Sequence, residues 1–114
     1  MMQVEARFEV ILSDDANTFL NGLSFKIKDK IVYNIRKSTF TTDSELFKKL
    51  GDTDIWEFRT LYNNVQYRIL AFWDKSKKTD TLVIATHGFI KKTQKTPAKE
   101  IAKAEAIRKA YFKL

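Results

Sequence analysis

Apolar and polar positions alternate at the start of the chain and then change to a helical spacing. Across Val4–Leu12 the even-numbered residues are apolar and the odd-numbered ones are mostly charged, which predicts a strand with one buried face. Ser13 can cap a helix that begins at about Ala16. Asn21-Gly22 predicts a break, after which Ser24 can cap a second helix. The buried stripe of this helical pair repeats every four residues, at Leu23, Ile27, Ile31 and Ile35.

Two runs rich in aromatic and β-branched residues predict a β-hairpin. They are Trp56–Leu61 and Val65–Trp73, and Tyr62-Asn63-Asn64 separates them. Asparagine tolerates the positive φ angles that a tight turn requires, so we expect the turn to be centred on positions 63 and 64. The segment before the hairpin, 43–50, predicts one short helical turn that ends at Gly51.

The register of this hairpin places two arginines directly opposite each other. With a two-residue turn, Arg59 faces Arg68 and Glu57 shares their face. The opposite arginines cost about 0.2–1 kcal/mol, which an anion such as phosphate held between the two guanidinium groups would offset. A salt bridge from Glu57 alone is the alternative interpretation. The other face of the hairpin predicts core, with Trp56, Phe58, Thr60, Tyr67, Ile69 and Ala71.

The end of the chain changes from a strand to a basic loop to a helix. The β-branched run predicts a strand over Thr81–His87 that ends at Gly88. Thr96 and Pro97 predict the N-cap and the first residue of a helix that continues to about Phe112, with a start that attracts anions. The expected buried side of this helix carries Ala104, Ile107, Tyr111 and Leu114. The loop suits phosphate, because cations alternate with hydrogen-bonding side chains at Lys91, Lys92, Thr93, Gln94 and Lys95.

Composition and charge narrow the possible functions. The 114 residues are 44% hydrophobic, which suits a single domain over residues 1–114. Without cysteine, a signal-peptide pattern or an apolar run of about 20 residues, the chain is predicted to be cytoplasmic, with no disulfide and no membrane partner. Net charge is +7, and residues 75–114 hold 11 Lys and Arg against three acids. Such an excess predicts a nucleic acid or an acidic protein as partner, and a solubilising lysine face is the alternative.

One histidine, His87, lies at the predicted strand end near the basic loop. A histidine in this position is either an acid/base catalyst or a hydrogen-bonded structural residue. With a single histidine and no cysteine, no metal-ligand spacing stands out, and the sequence also has no glycine-rich phosphate loop. We therefore expect neither a metal site nor a cofactor.

Three segments resemble, in order and spacing, the HigB-type branch of the RelE toxin superfamily, which includes phage-derived members. They are Trp56–Arg59, Tyr67–Trp73 and His87–Pro97. The part from Phe89 to Pro97, with its lysine–threonine–glutamine–lysine–threonine–proline run, is the most specific of them. The similarity extends over residues 50–111, whereas residues 1–49 agree only in the pattern of a strand followed by a helical hairpin.

This resemblance implies the toxin of a type II toxin–antitoxin pair, a metal-independent endoribonuclease that cleaves messenger RNA at the ribosome. It implies an α+β, RelE-like fold, in which an antiparallel sheet of about four strands carries an N-terminal helical pair and a C-terminal helix. The partners it implies are a HigA-like helix-turn-helix antitoxin and messenger RNA on the ribosome. The catalytic residues would then be Arg59, Arg68, Lys92, Glu57 and His87, and the RNA contacts Lys91, Lys95, Gln94, Tyr67 and Lys49.

RNA carries its own nucleophile, the 2′-hydroxyl group, so such an enzyme must position that oxygen, stabilise charge on the phosphate and transfer protons. Arg59 and Arg68 are assigned to the scissile phosphate, and the loop lysines to the flanking backbone or the leaving group. Proton transfer remains open between Glu57, His87 and a lysine with a lowered pKa. Two other function classes use the same basic surface: a non-catalytic module that binds RNA or the ribosome, and a phage accessory protein that docks an acidic partner.

Overall fold

The computed structural model describes residues 6–76 and 82–114, which form three helices and a five-stranded sheet. The predicted α+β class is therefore confirmed. None of the helices in this part of the chain is long and apolar enough to cross a membrane. The elements in chain order are β1 (Glu9–Leu12), α1 (Asp14–Asn21), α2 (Phe25–Phe40), β2 (Phe47–Lys49), β3 (Trp56–Tyr62), β4 (Val65–Asp74), β5 (Leu82–Lys91) and α3 (Ala98–Phe112).

The sheet differs from the expected one in its number of strands and in their direction. Its strand order is β1-β5-β4-β3-β2, and the β1–β5 pair is parallel whereas the other neighbours are antiparallel. Parallel neighbouring strands need a long connection. Here the chain runs from β1 through α1, α2 and the antiparallel strands β2, β3 and β4 before β5 pairs with β1. The sheet is thus mixed, with β1 at one edge and β2 at the other.

The N-terminal helical pair forms as the sequence predicts. The hydroxyl of Ser13 accepts a hydrogen bond from the backbone N–H of Ala16 at 3.1 Å, which caps α1. The break falls at Gly22, the C-cap of α1. Ser24 occupies the N-cap position of α2 without a side-chain capping bond. On α2 the predicted stripe is buried at Ile31 and Ile35.

The short helical turn predicted over residues 43–50 is right only for its first part, because residues 47–49 join the sheet. Backbone bonds from Leu46 and Phe47 to the Asp43 carbonyl close a turn, and the chain then continues as β2. The ring of Phe47 is buried and stacks on the ring of Phe58, with 4.3 Å between centroids. Burial of this aromatic ring favours strand pairing over the local helical propensity of the segment.

Apolar clusters lie on both faces of the sheet. The helical pair covers the face predicted to be core, which includes Phe58, Tyr67, Ile69 and Ala71. Helix α3 covers part of the other face, where the second cluster consists of Ile55, Leu70, Phe72, Ile84 and Ala104. The uncovered remainder of this second face is available for polar chemistry.

The predicted buried side of α3 is only partly right. Ala104 is fully buried, but Tyr111 and Leu114 are 45% and 78% exposed. Phe112 packs against the second cluster in their place. The Tyr111 hydroxyl donates a hydrogen bond to Asp74 at 2.6 Å, so this ring lies across the end of β4 rather than in the core.

The hairpin has the predicted turn and register. Asn63 and Asn64 have φ angles of 49° and 64°, as a tight hairpin turn of this hand requires. Arg59 is paired with Arg68 across the two strands. The prediction that both arginines share one face of the hairpin is therefore confirmed.

The strand predicted to end at Gly88 is longer than its sequence pattern indicates, because β5 continues to Lys91. At Gly88 the sheet lies so close to α1 that an added Cβ atom would be 2.1 Å from Cδ2 of Phe19. The missing side chain therefore serves helix packing and not a turn.

Candidate functional site

Glu57 lies at the centre of a cluster on the second face of the sheet. Its side chain is 3% exposed, and its Oε1 atom is 3.2 Å from Nε of Arg68 and 3.5 Å from Nε of Arg59. The other carboxylate oxygen, Oε2, accepts a hydrogen bond from the hydroxyl of Thr96. In this structure the anion between the two arginines is thus Glu57 itself, as the salt-bridge interpretation expects.

The two arginines differ in their access to solvent. The Arg68 side chain is 3% exposed, and its guanidinium donates to the Tyr67 carbonyl at 3.2 Å and to the side chain of Gln66. Burial lowers the pKa of Arg68, and Glu57 opposes this shift. The Arg59 side chain is 25% exposed and donates to the Ser44 carbonyl at 3.3 Å. Of the pair, Arg59 is therefore the one that a ligand can contact directly.

A β-bulge in β5 brings further residues to the same face. Leu70 pairs with His87 and Ala71 pairs with Ala85, which leaves Thr86 as the extra residue. The Thr86 hydroxyl donates to the Leu70 carbonyl at 3.0 Å, and the Ser13 hydroxyl donates to the Thr86 carbonyl at 2.6 Å. The polar groups of the bulge therefore have partners.

The bulge reverses which side chains of β5 face the cluster. Beyond it, Phe89 pairs with Arg68 and Lys91 pairs with Gln66. Paired residues of an antiparallel sheet share a face, so His87, Phe89 and Lys91 lie on the Glu57 side. Uninterrupted alternation from Ile84 would have placed Thr86, Gly88 and Ile90 there.

Lys91 is the half-buried cation of this cluster. Burial lowers its pKa first, and the positive charge of Arg68 lowers it further, while Glu57 acts in the opposite direction. Arg59 and Lys48 add smaller repulsions of the same sign as Arg68. A lysine with a lowered pKa loses its proton more readily than an exposed one, so Lys91 suits proton donation.

An open groove lies over the cluster, and we call it the basic groove. Its volume is about 540 Å³. Among its walls are Lys95 and Gln94 of the loop before α3, and Lys48 and Lys49 of β2. The charged and polar residues that line it are Lys48, Lys49, Asp52, Thr53, Glu57, Arg59, Gln94, Lys95 and Thr96.

Of the ten predicted site residues, five do not line the basic groove: Tyr67, Arg68, His87, Lys91 and Lys92. Tyr67 is buried on the other face, in the core under the helical pair, and is not brought to Glu57. Lys92 is exposed in the loop beyond β5 and does not line the groove.

His87 lies apart from the groove, beneath the first turns of α3. It is 3% exposed, its Nδ1 atom is 3.1 Å from the Thr86 hydroxyl, and its Nε2 atom is 3.5 Å from Oε1 of Glu100. Burial lowers its pKa, as does the positive charge of Lys103, while Glu100 opposes both. The neutral form is thus favoured in the folded protein.

Residues 18–109 match the family described as phage derived protein Gp49-like (DUF891). The chain belongs to this family. None of the curated proteins matches the chain significantly. The Gp49-like family is a RelE-like toxin family, so the resemblance seen in the sequence is confirmed at the level of the superfamily. Membership of the HigB branch stays a prediction.

Family membership fits the position of the cluster in this Gp49-like chain. The match covers the hairpin, β5, the loop after it and most of α3, which together carry Glu57, Arg59, Arg68, Lys91 and Thr96. The family is related to toxins of toxin–antitoxin pairs, and such a toxin has an antitoxin as partner. Within residues 6–76 and 82–114 no three His, Cys, Asp or Glu side chains are grouped as metal ligands.

Sequence reasoning missed two residues of the site in this Gp49-like protein. Lys48 pairs with Glu57 across β2 and β3. The sequence pattern of residues 43–50 predicts a helical turn, so it does not place Lys48 on a strand beside Glu57. Thr96 was predicted to cap α3, but Pro97 holds the N-cap position and the Thr96 hydroxyl turns to Glu57 instead. The hydroxyl is worth more as a donor to a buried carboxylate than as an acceptor for an exposed N–H group at the helix start.

Proposed function

We propose that the protein is a HigB-type toxin of a type II toxin–antitoxin pair and an endoribonuclease that cleaves messenger RNA on the ribosome. Family membership supports the toxin class. The observation that supports RNA chemistry is the carboxylate of Glu57, buried among two arginines at the floor of the basic groove. A carboxylate beside cations is the pairing that proton abstraction next to a phosphate requires.

The reaction proposed is attack by the 2′-oxygen on the adjacent phosphorus. Glu57 takes the proton of the 2′-hydroxyl, the 2′-O–P bond forms, and the P–O5′ bond breaks. The leaving 5′-oxygen receives a proton from Lys91. The products are a 2′,3′-cyclic phosphate and a 5′-hydroxyl end, and no metal, oxidant or second substrate is needed.

Thr96 supports the choice of Glu57 as the base. Its hydroxyl already donates to Oε2 of Glu57 from the side of the basic groove. A substrate 2′-hydroxyl is the same kind of donor, and it can take this position when the Thr96 side chain rotates. His87 is less suited because α3 covers it, with Oε1 of Glu100 3.5 Å from its Nε2 atom.

The cations have separate roles in this proposal. Arg59, partly exposed in the groove, contacts the scissile phosphate and stabilises its developing charge. Buried Arg68 holds Glu57 in place from below, a more indirect role than the phosphate contact predicted from the sequence. Lys95 and Lys49 contact flanking phosphates, Gln94 supplies hydrogen bonds, and exposed Lys92 is left to the outer backbone.

The test is cleavage of messenger RNA on programmed ribosomes by the purified protein. We expect Glu57→Gln to lower the cleavage rate by about 100-fold or more, since general acid–base catalysis contributes a factor of that order. Glu9→Gln, a change on the distant edge strand β1, is the matched control and should leave the rate unaltered. Cleavage should persist in EDTA.

A modified substrate tests whether the attacking nucleophile is the 2′-hydroxyl group of the RNA or a water molecule. A 2′-deoxy nucleotide on the 5′ side of the cut should block cleavage, because it removes the attacking oxygen. Continued cutting there would show that water attacks. Tight RNA binding with no cleavage by the wild-type protein would favour a non-catalytic module that binds RNA or the ribosome.

A further inference from the structure

A second cleft adjoins the basic groove at the end of the sheet, and we call it the tryptophan notch. Its volume is about 520 Å³. Lys49 lines both the notch and the groove, so the two lie next to each other. The residues of the notch are Lys49, Asp54, Trp56, Trp73, Lys75 and Arg108.

Two indole rings form the apolar part of the notch. The rings of Trp56 and Trp73 meet edge to face with centroids 5.6 Å apart, and both are half-buried. The ammonium group of Lys75 lies over the ring of Trp73, 5.4 Å from its centroid. The Trp73 ring also contacts the core rings of Phe8 and Phe47, so the lysine marks the side of the ring that is turned to the surface.

The charged part of the notch is mainly cationic. Lys49 comes from β2, Lys75 follows β4, and Arg108 comes from α3. Among the described residues that line the notch, Asp54 is the one acid. Asp54 lies 3.6 Å from Arg108. An indole face that a flexible lysine covers, with further cations around it, fits a flat ring attached to a phosphate, because a base can displace the lysine and leave it to contact the phosphate. A base can present its face in this way only when it is unpaired.

We propose that the tryptophan notch is a second RNA subsite, where an unpaired base of the strand held in the basic groove stacks on Trp73 while Lys49 and Lys75 contact its phosphates. This inference rests on the proposed RNA-directed function, and it adds a position on the strand beyond the scissile phosphate. Stacking accepts any base. The notch therefore adds affinity and direction to the strand more than sequence preference.

The notch has its own spectroscopic reporter, because Trp56 and Trp73 are the only two tryptophans of the chain. The probe is a short single-stranded oligoribonucleotide with 2′-O-methyl groups throughout, which binds but offers no free 2′-hydroxyl for attack. We expect it to quench the tryptophan fluorescence in a saturable way. A strand of the same length with abasic sites keeps the phosphates, and it should bind more weakly without the stacking quench.

Charge reversal tests the cation of the notch with a matched control. Lys75→Glu should weaken binding of the 2′-O-methyl strand about fivefold or more, since it replaces an attraction to phosphate by a repulsion. Lys30 on α2 also lies over an aromatic ring, that of Tyr33 at 5.5 Å, but it lines neither the notch nor the basic groove. Lys30→Glu should leave the affinity within error of the wild type.

Replacement of the ring tests the stacking itself. Trp73→Leu should lower the affinity about fivefold or more, as expected when one base loses its aromatic partner. Trp73→Phe keeps a smaller ring and should lose less, which separates a stacking role from a role in packing. Equal losses in both variants, with normal folding, would overturn the proposal.

The outcomes separate this inference from the proposed function. If the wild-type protein cuts no RNA but the uncleavable strand quenches its fluorescence in a Lys75-dependent manner, the notch stands and the endonuclease proposal falls. The notch proposal is wrong if cleavage is normal, a saturating amount of the strand leaves the tryptophan fluorescence unchanged, and Lys75→Glu binds the strand as tightly as the wild type does. Equal quenching by an acidic peptide of the same charge would also overturn it, in favour of a protein partner.

Discussion

Arg68 and Glu57 form a buried ion pair, and removal of either partner leaves the other charge buried with less compensation. Arg68→Ala should therefore lower the free energy of unfolding by about 3 kcal/mol or more. Arg59 is 25% exposed, so Arg59→Ala should cost only about 1 kcal/mol. Urea unfolding monitored by tryptophan fluorescence measures both.

Exposed Arg36 on α2 provides the control for these arginine variants. Arg36→Ala should leave stability nearly unaltered, because its charge is already solvated. The expected order of loss is Arg68, then Arg59, then Arg36. An Arg59→Ala variant that loses as much stability as Arg68→Ala would contradict the division into a holding arginine and a phosphate-contacting one.

His87 should make stability depend on pH in a narrow window. Burial and Lys103 lower its pKa in the folded state, against the attraction of Glu100 and Asp15. Above a pH of about 6.5 the His87 imidazole is neutral in both the folded and the unfolded protein. Below this pH the unfolded chain binds a proton there more readily than the folded protein does, so the free energy of unfolding falls as the pH falls. The loss between pH 7.5 and 5.5 should reach at most about 1 kcal/mol.

The measurement for His87 is urea unfolding across that pH range. Because the chain has one histidine, few other groups titrate there. His87→Gln should remove most of the pH dependence. A wild-type stability that rises as the pH falls would contradict the lowered pKa.

Single residues of the site could be predicted where a local rule decides them. Two asparagines fix the hairpin turn, and the turn fixes the pairing of Arg59 with Arg68. The role of Thr96 could not be predicted, since a Thr-Pro sequence obeys the capping rule and its competitor, Glu57, is 39 positions away in sequence. The burial of the Glu57 carboxylate depends on the tertiary structure, and no pattern in the neighbouring sequence predicts it.

At the scale of elements, strand alternation predicts faces only while the alternation is unbroken. It assigns the hairpin correctly from Trp56 to Ala71. In β5 the bulge at Thr86 shifts the alternation by one residue, and this shift brings Lys91 to the site. The bulge is stabilised by hydrogen bonds from Thr86 to Leu70 of β4 and from Ser13 to Thr86, so it cannot be predicted from the sequence of β5 alone.

Gly88 is where β5 and α1 come closest, and it tests the role of that contact. A Cβ atom at this position would lie 2.1 Å from Cδ2 and 2.6 Å from Cγ of Phe19. Gly88→Ala should therefore cost about 1–3 kcal/mol of stability, as overpacking of a well-filled site does. The expected result is a lower urea midpoint for unfolding.

A double-mutant cycle gives the control for Gly88. In a Phe19→Ala background the ring that causes the clash is absent, so Gly88→Ala should cost much less than in the wild type. Additive losses would mean that the glycine is needed for its backbone and not for the close approach of the helix.

At the scale of the whole molecule, the fold gathers positive charge from distant parts of the chain. The sequence shows the excess in residues 75–114, but Lys48 and Lys49 come from the edge strand β2 and complete the basic groove. Their contribution depends on the order of the strands, which neither composition nor periodicity determines. The cationic surface is thus larger and more continuous than the charge count along the sequence suggests.

This surface leads to a prediction about the antitoxin. We expect a HigA-like antitoxin to neutralise the protein by laying an acidic or amphipathic segment over the basic groove, where it pairs with Lys48, Arg59 and Lys95. Charges at a rim are screened over about 10 Å at 0.1 M salt, so the affinity should fall as the salt concentration rises. Lys95→Glu should weaken capture by the antitoxin, whereas Lys30→Glu, at a residue that does not line the basic groove, should not.

Co-expression with the adjacent gene, followed by co-purification, measures this interaction directly. Cells that carry the toxin alone should stop growing, and cells that carry both genes should survive, because a segment over the groove keeps RNA from Glu57 and Arg59. Salt-insensitive capture that Lys95→Glu leaves unaltered would place the antitoxin elsewhere, where its bulk prevents entry to the ribosome. If no neighbour co-purifies, and expression of this chain alone leaves growth and ribosome-bound messenger RNA intact, the toxin proposal must give way to plain RNA binding.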